Sequence, residues 1–142
     1  MRILITGGAG FIGGNLIREL LKKKDYKIYN LDKISYASDS ESLKNIIKKN
    51  SNLAEYHLIK IDLKDRKAVS DSIKLSNPDL IIHLAAESHV DRSIQGPKTF
   101  IDSNIIGTFN LLESAKEHWK SLEQHRKIKF RFLHISTDEV FG

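Results

Sequence analysis

Short apolar runs alternate with amphipathic stretches along most of the chain. Residues 2–6 (RILIT) form the first run and lead directly into GGAGFIGG. Phe11, Ile12, Leu16, Ile17, Leu20 and Leu21 then recur on one face of a helix that ends near Lys24. Residues 26–31 predict a second strand, closed by Asp32, and residues 56–61 a third, closed by Asp62. Between them SYASDSES reads as a loop, and SLKNIIKK as about two helical turns. Val69 and Ile73 mark a short helix over 66–75, which Asn77-Pro78 breaks. The short, mostly apolar run at 80–84 (LIIHL) suits a buried parallel strand. Residues 99–119 carry the longest helical pattern, with Ile101, Ile105, Phe109 and Leu112 on one face and Thr108, Ala115 and Trp119 beside it. Residues 128–135 supply a fifth strand.

Strands alternating with helices, joined by connections too long for hairpins, predict an α/β fold: a parallel sheet with helices on both faces. Right-handed crossovers give the strand order 3-2-1-4-5 of a Rossmann fold. Gly107, inside the long helix, costs roughly 1 kcal/mol against alanine. It is either a tolerated glycine or a point of close approach by another backbone or a ligand.

The chain has 142 residues, no cysteine and a formal net charge of +5. That length suits one domain with a real core, and the missing thiols exclude disulfides and cysteine-ligated zinc. The positive charge sits in short groups such as Lys22-Lys23-Lys24 and Lys48-Lys49, which read as solvated helix ends. No nucleic-acid-binding motif accompanies them, so no nucleic-acid partner is expected. No run is long enough to span a membrane, and MRILITGG reads as a first strand rather than a leader, which predicts a cytoplasmic protein.

The chemistry concentrates at the ends of the strands. Gly7, Gly10 and Gly13 lie between the first strand and first helix, where small residues let backbone approach a pyrophosphate at a helix N-terminus. The same spacing also serves a tight turn with no ligand. GxxxxGK[ST] is absent, which argues against an ATP- or GTP-hydrolysing domain. Asp32, 19 residues after Gly13, suits the ribose hydroxyls of NAD and would repel the 2′-phosphate of NADP, although Lys33 next to it weakens that exclusion. An exposed turn acid is its other reading. Asp62 either accepts the adenine amino group, with Leu63 against the base, or caps the next helix. Leu84, Ala85 and Ala86 offer small side chains for the nicotinamide end, and Ser88 a compact hydroxyl. His83, His89 and His134 are expected apart from one another, as core or surface histidines rather than metal ligands. Asp91-Arg92 is either a local ion pair or a place where Arg92 meets a substrate phosphate. Asp138-Glu139 is a pair of surface acids or of catalytic ones.

TGGAGFIGG, DKISYA, HLAAESHVDRSI, NIIGT and ISTDEVFG together resemble the dTDP-glucose 4,6-dehydratases, a branch of the extended short-chain dehydrogenase/reductase family. The resemblance runs over essentially the whole chain. AAESHVDRSI with STDEVFG is its specific part. One departure is Ser38-Asp39, where the family commonly has glycine then asparagine.

The resemblance implies a tightly held NAD, used and regenerated within one cycle. In that cycle a dTDP-glucose is oxidised at C4, loses water across C5–C6 and is reduced at C6. Asp138 then resembles the acid that protonates the departing C6 hydroxyl, Glu139 the base that takes the C5 proton, and Thr137 a hydrogen-bond partner of the C4 oxygen. Adjacent carboxylates in a closed pocket can hold one proton between them. For the cofactor, Phe11 and Ile12 would cover the pyrophosphate turn. Asp32, Lys33 and Ser35 would surround the adenosine ribose, and Asp62 and Leu63 would flank adenine. Leu84 to Ser88 would line the nicotinamide side, with Ser88 also at the sugar, and Ser103 and Asn104 would lie on the helix beneath.

The family's Tyr-x-x-x-Lys arrangement follows STDEVFG, and no tyrosine does so in these residues: Tyr26, Tyr29, Tyr36 and Tyr56 all precede the acid pair, and the Tyr29–Lys33 and Tyr56–Lys60 spacings start in the second and third strands. The expectation is therefore the N-terminal part of a dinucleotide-binding domain. The fold would be incomplete at its C-terminus and inactive alone, and would belong to a homodimeric parent with a further nucleotide-sugar-binding domain. A sugar-nucleotide epimerase or decarboxylase, or a non-catalytic NAD-binding module, is the alternative.

Overall fold

The computed structural model describes residues 1–34, 45, 53–137 and 140, with residues 90 and 92 described by backbone alone. Five strands, β1 (Arg2–Thr6), β2 (Lys27–Asp32), β3 (Glu55–Lys60), β4 (Leu80–His83) and β5 (Arg131–His134), form one sheet in the order β3-β2-β1-β4-β5. Every pairing is parallel, so all five C-terminal ends share one edge. This is the Rossmann arrangement expected from the sequence.

β1 shows why both faces are covered. Successive side chains on a strand point to opposite faces, yet Ile3, Leu4 and Ile5 are all fully buried. Ile3 and Ile5 pack with Ile28, Ile82 and, from helix α1 (Phe11–Leu21), Ile17 and Leu21. Leu4 and Ile81 pack on the other face, against Val69 and Ile73 of α2 (Arg66–Ser76) and Leu111 of a long C-terminal helix. Asp65 caps α2, its carboxylate accepting Ala68 N–H at 3.0 Å, which removes the helix-cap reading of Asp62. Asn77 closes α2 in the left-handed conformation, φ 43°, with its N–H on Ile73 O at 2.8 Å.

Three features differ from the sequence expectation. A short helix, α3 (Val90–Gln95), follows the loop after β4. The long helical segment is divided into α4 (Pro97–Phe100), a π-helical turn at Ile101–Ile106 and α5 (Gly107–Ser121). The last strand begins at Arg131, not 128, because α6 (Gln124–Lys129) occupies the preceding turn. Arg126 anchors α6 by donating to Asn77 Oδ1 at 2.8 Å and Asp79 Oδ1 at 2.7 Å, so its backbone cannot run on as an extended strand. The helix suggested for SLKNIIKK lies outside the described residues, Asn45 excepted.

The long helix also presents the opposite face to the one its pattern suggests. Ile105, Phe109 and Leu112 are exposed, whereas Gly107, Asn110, Leu111, Ser114 and Ala115 are buried. Small and amide-bearing residues suit that contact because the helix lies close to backbone. A Cβ on Gly107 would stand 3.0 Å from Leu63 Cβ, and Asn110 Nδ2 donates to both Leu63 O and Lys64 O at 3.0 Å. Gly107 is thus a point of close approach.

Candidate functional site

The turn after β1 is built from contacts that exclude side chains. Gly7 adopts φ 70°, a conformation unfavourable for residues with a Cβ. An added Cβ there would sit 2.7 Å from Ala85 Cα, so the turn presses on the loop that leaves β4. Gly13 lies beneath, where a Cβ would come within 2.3 Å of Gly7 O. It packs helix to turn and does not line the cleft. Gly8 N–H donates to the buried Asn30 Oδ1 at 3.0 Å, and Asn30 Nδ2 donates to Tyr56 OH at 3.0 Å. No side chain caps α1, whose N-cap is Gly10. Its first-turn N–H groups and the positive end of its dipole therefore suit an anion. Phe11 and Ile12 stand exposed on that first turn.

Asp32 ends β2 beside this turn. Its Oδ2 accepts Ala9 N–H at 2.9 Å and its Oδ1 accepts Ile34 N–H at 2.8 Å, which fixes the carboxylate's orientation. Ile34 reaches back only by adopting φ 55°, an outlier for a β-branched residue. Such strain persists where surrounding contacts hold it and is frequent at ligand sites.

Between the strand ends opens a cleft of about 150 Å³. Gly7 and Gly10 form its floor, Asp32, Lys33, Asp62 and Leu63 one wall, and Leu84, Ala85, Ala86 and Ser88 the other, with Ser103 contributed by the π turn. This is the crevice outside the carboxyl ends of the strands, where β1 and β4 diverge, in which open α/β sheets bind ligands. The widened turn of the π segment aims Asn104 at the loop after β4. Its Oδ1 accepts Glu87 N–H at 2.8 Å, and its Nδ2 donates to Glu87 O at 2.9 Å. Glu87 in turn receives Lys33 Nζ on Oε1 at 2.5 Å, which joins the two walls.

Below the cleft, a hydrogen-bonded line runs through the sheet. Ala85 N–H donates to Thr6 Oγ1 at 3.3 Å, Thr6 Oγ1 meets His83 Nδ1 at 2.6 Å, and His83 Nε2 meets Thr108 Oγ1 at 2.9 Å. Burial, with a smaller contribution from the neighbouring His134, pushes the His83 pKa down to about 4. The His83 and His134 rings lie 4.9 Å apart between centroids, tilted by 33°, which corrects the expectation that these histidines lie apart. They are register partners on β4 and β5, a proximity that sequence spacing alone does not show. His89 lines the cleft instead.

Thr137 lies past β5, exposed and outside the cleft lining. Ser35, Asp138 and Glu139 fall outside the described residues, as do Ser38 and Asp39, and nothing is described of the Arg92 side chain. His89, Leu31 and Ile61 also line the cleft, a place the sequence does not assign to them. Glu87 lines it within the expected 84–88 stretch, an acid among small side chains. Asn30, an amide in the middle of an apolar strand, was a signal of the same kind.

The residues present fit a dinucleotide. Two positions, Gly7 and Gly13, reject any Cβ, a helix N-terminus has no side-chain cap, and a fixed carboxylate stands at the end of β2. A family model described as GDP-mannose 4,6 dehydratase matches residues 4–142. The chain is 48% identical over all 142 residues to a dTDP-glucose 4,6-dehydratase of Escherichia coli and covers 38% of that protein. Among solved structures it is similar to the dTDP-glucose 4,6-dehydratase of Streptomyces venezuelae with NAD bound, with a TM-score of 0.78 and 35% identity, over 100% of this chain and 41% of that one. It is also similar to the UDP-Glc/GlcNAc 4-epimerase of Campylobacter jejuni, with a TM-score of 0.79 and 28% identity, over 99% of this chain and 38% of that one. The chain thus spans about two fifths of the length of these relatives.

Proposed function

The chain belongs to the GDP-mannose 4,6-dehydratase family, and on that premise we propose that its cleft holds NAD and serves the dehydration of dTDP-glucose to dTDP-4-keto-6-deoxy-glucose by the complete protein. The observation that carries the cofactor half is Asp32, held by Ala9 and Ile34 beside an uncapped glycine turn. A carboxylate so placed accepts both ribose hydroxyls and repels a 2′-phosphate. Gly7 and Gly10 admit the pyrophosphate to the N–H groups of α1. Leu63 and Asp62 flank the adenine, while Leu84 to Ala86, with Ser88 and Ser103, border the nicotinamide end.

When bound, NAD would supply the acceptor for the hydride taken from sugar C4 and the donor of the hydride given to C6, leaving the overall reaction redox-neutral. Asp138 gives a proton to the departing C6 hydroxyl and Glu139 takes the C5 proton, together releasing one water. Thr137 holds the C4 oxygen. These three roles rest on the ISTDEVFG motif. The C4 hydroxyl base and the grip on the nucleotide belong to sequence outside these residues. The exposed stripe of Ile105, Phe109 and Leu112 supports pairing of two copies of the complete protein.

Similarity favours dehydratase over epimerase: relatives at 46–48% identity are dTDP-glucose 4,6-dehydratases, while among solved structures the two stand closer, at 35% and 28%. The fold itself does not separate them. The test is the product formed from dTDP-glucose by the complete polypeptide, analysed by mass spectrometry. Dehydration yields a sugar nucleotide lighter by one water with no net consumption of NAD. A product of unchanged mass and altered configuration would establish the epimerase, and NAD binding without turnover a binding module.

A further inference from the structure

Lys33 poses a problem for the NAD reading, because an ammonium next to the ribose-binding carboxylate should attract the 2′-phosphate of NADP. The structure shows where that charge goes. Lys33 Nζ crosses the cleft to Glu87 Oε1 at 2.5 Å, and the Glu87 side chain is only 13% exposed. Glu87 is no chance surface partner. Asn104 holds both its N–H, at 2.8 Å, and its C=O, at 2.9 Å, so the carboxylate is presented from a fixed backbone. Both members of the pair line the cleft that contains Asp32.

We propose that Glu87 is a cofactor-specificity residue: it draws the Lys33 ammonium away from the ribose 2′ position and so keeps the site for NAD against NADP. The proposal rests on the NAD reading of this cleft. Asp32, Lys33 and Glu87 together carry one net negative charge, and without the Glu87 carboxylate they are neutral. A 2′-phosphate adds up to two negative charges, so at partly shielded separations this difference corresponds to about tenfold in the relative affinity of NADP and NAD. Glu87 also competes directly for Lys33. Once released, the lysine is a flexible point charge with three donors, well suited to a phosphate.

The experiment is calorimetric titration of NAD⁺ and NADP⁺ into the complete polypeptide and its Glu87→Gln, Glu87→Ala, Lys33→Met and Glu87→Gln/Lys33→Met forms. Circular dichroism checks that each is folded. Glu87→Gln should raise the NADP⁺-to-NAD⁺ affinity ratio about tenfold. Glu87→Ala, which removes the carboxylate by another route, should do the same. Adding Lys33→Met should abolish most of the gain, and 0.5 M salt should shrink it, at a concentration of the order that shortens screening to a few ångströms. A ratio within about twofold of the unaltered protein in both Glu87 variants, or a gain that survives loss of Lys33, overturns the proposal while leaving NAD binding intact. If the unaltered protein bound neither nucleotide, the cofactor reading would fall, and this inference with it.

Discussion

Lowering the pH should destabilise the fold through His83. This side chain is 1% exposed and lies between Thr6 and Thr108. Burial first, and the charge of His134 second, lower its pKa from 6.5 to about 4 in the folded state. A depressed folded-state pKa means that the unfolded chain binds the proton more readily. The contribution is therefore fully present above pH 6.5 and is lost as pH falls from 6.5 towards 4. At about 1.4 kcal/mol per unit of displacement, the loss amounts to about 2 kcal/mol at pH 5 and about 3 kcal/mol at pH 4. Urea unfolding of the unaltered protein and of His83→Gln, across pH 4 to 8, separates this effect from the rest. His118, also shifted down chiefly by burial, adds a slope of the same sign that both proteins retain. The glutamine form should be less stable at pH 7 yet show a shallower fall below pH 6.5, by up to about 1.4 kcal/mol per pH unit. Parallel curves would show that His83 takes up its proton in the folded protein as easily as in the unfolded chain, and the burial reasoning would be refuted.

Two substitutions test the frame around the cleft. Gly7→Ala introduces a side chain at φ 70° and a Cβ 2.7 Å from Ala85 Cα, so it should destabilise by about 2–4 kcal/mol in urea unfolding. Gly10→Ala, whose Cβ has only Gly7 O near it, at 3.3 Å, should lose less than half as much. Asp79→Ala removes the acceptor of Arg2 N–H at 2.9 Å and the partner of Arg126 at 2.7 Å, under the N-terminal end of the sheet. With the carboxylate about one-third exposed, we expect about 1–3 kcal/mol of lost stability, read as a lower urea midpoint at unchanged slope.

The sheet was legible because its strands are short and the central ones, β1 and β4, are mostly apolar and buried. A parallel sheet buried on both faces leaves little freedom in how such strands are ordered once crossover handedness is applied. The site was legible where a residue type had one physical use, as with glycines against backbone or an acid at a strand end. It was less legible where the use depended on a partner distant in sequence. Glu87 matters because Lys33 lies across the cleft, 54 residues earlier. His83 and His134 meet only because β5 joins the edge of β4.

The long helix shows how a hydrophobic pattern can point the wrong way. The periodic apolar face marks a surface that avoids water, but it does not say which of two neighbours covers that surface. Here the sheet side is taken by Gly107, Asn110, Leu111, Ser114 and Ala115, and at Gly107 the loop after β3 passes too close for a side chain. Asn110 replaces apolar contact with two hydrogen bonds to the carbonyls of Leu63 and Lys64. Leu63 lines the cleft and is itself buried. The helix that stands out of register with its own pattern therefore sets the position of one cleft wall. Gly107 and Asn110 fix α5 against that wall, while the π turn one step earlier directs Asn104 to the other. A single helical segment, widened at one point and stripped of its Cβ at the next, thus sets the separation of the two walls between which the cofactor must fit.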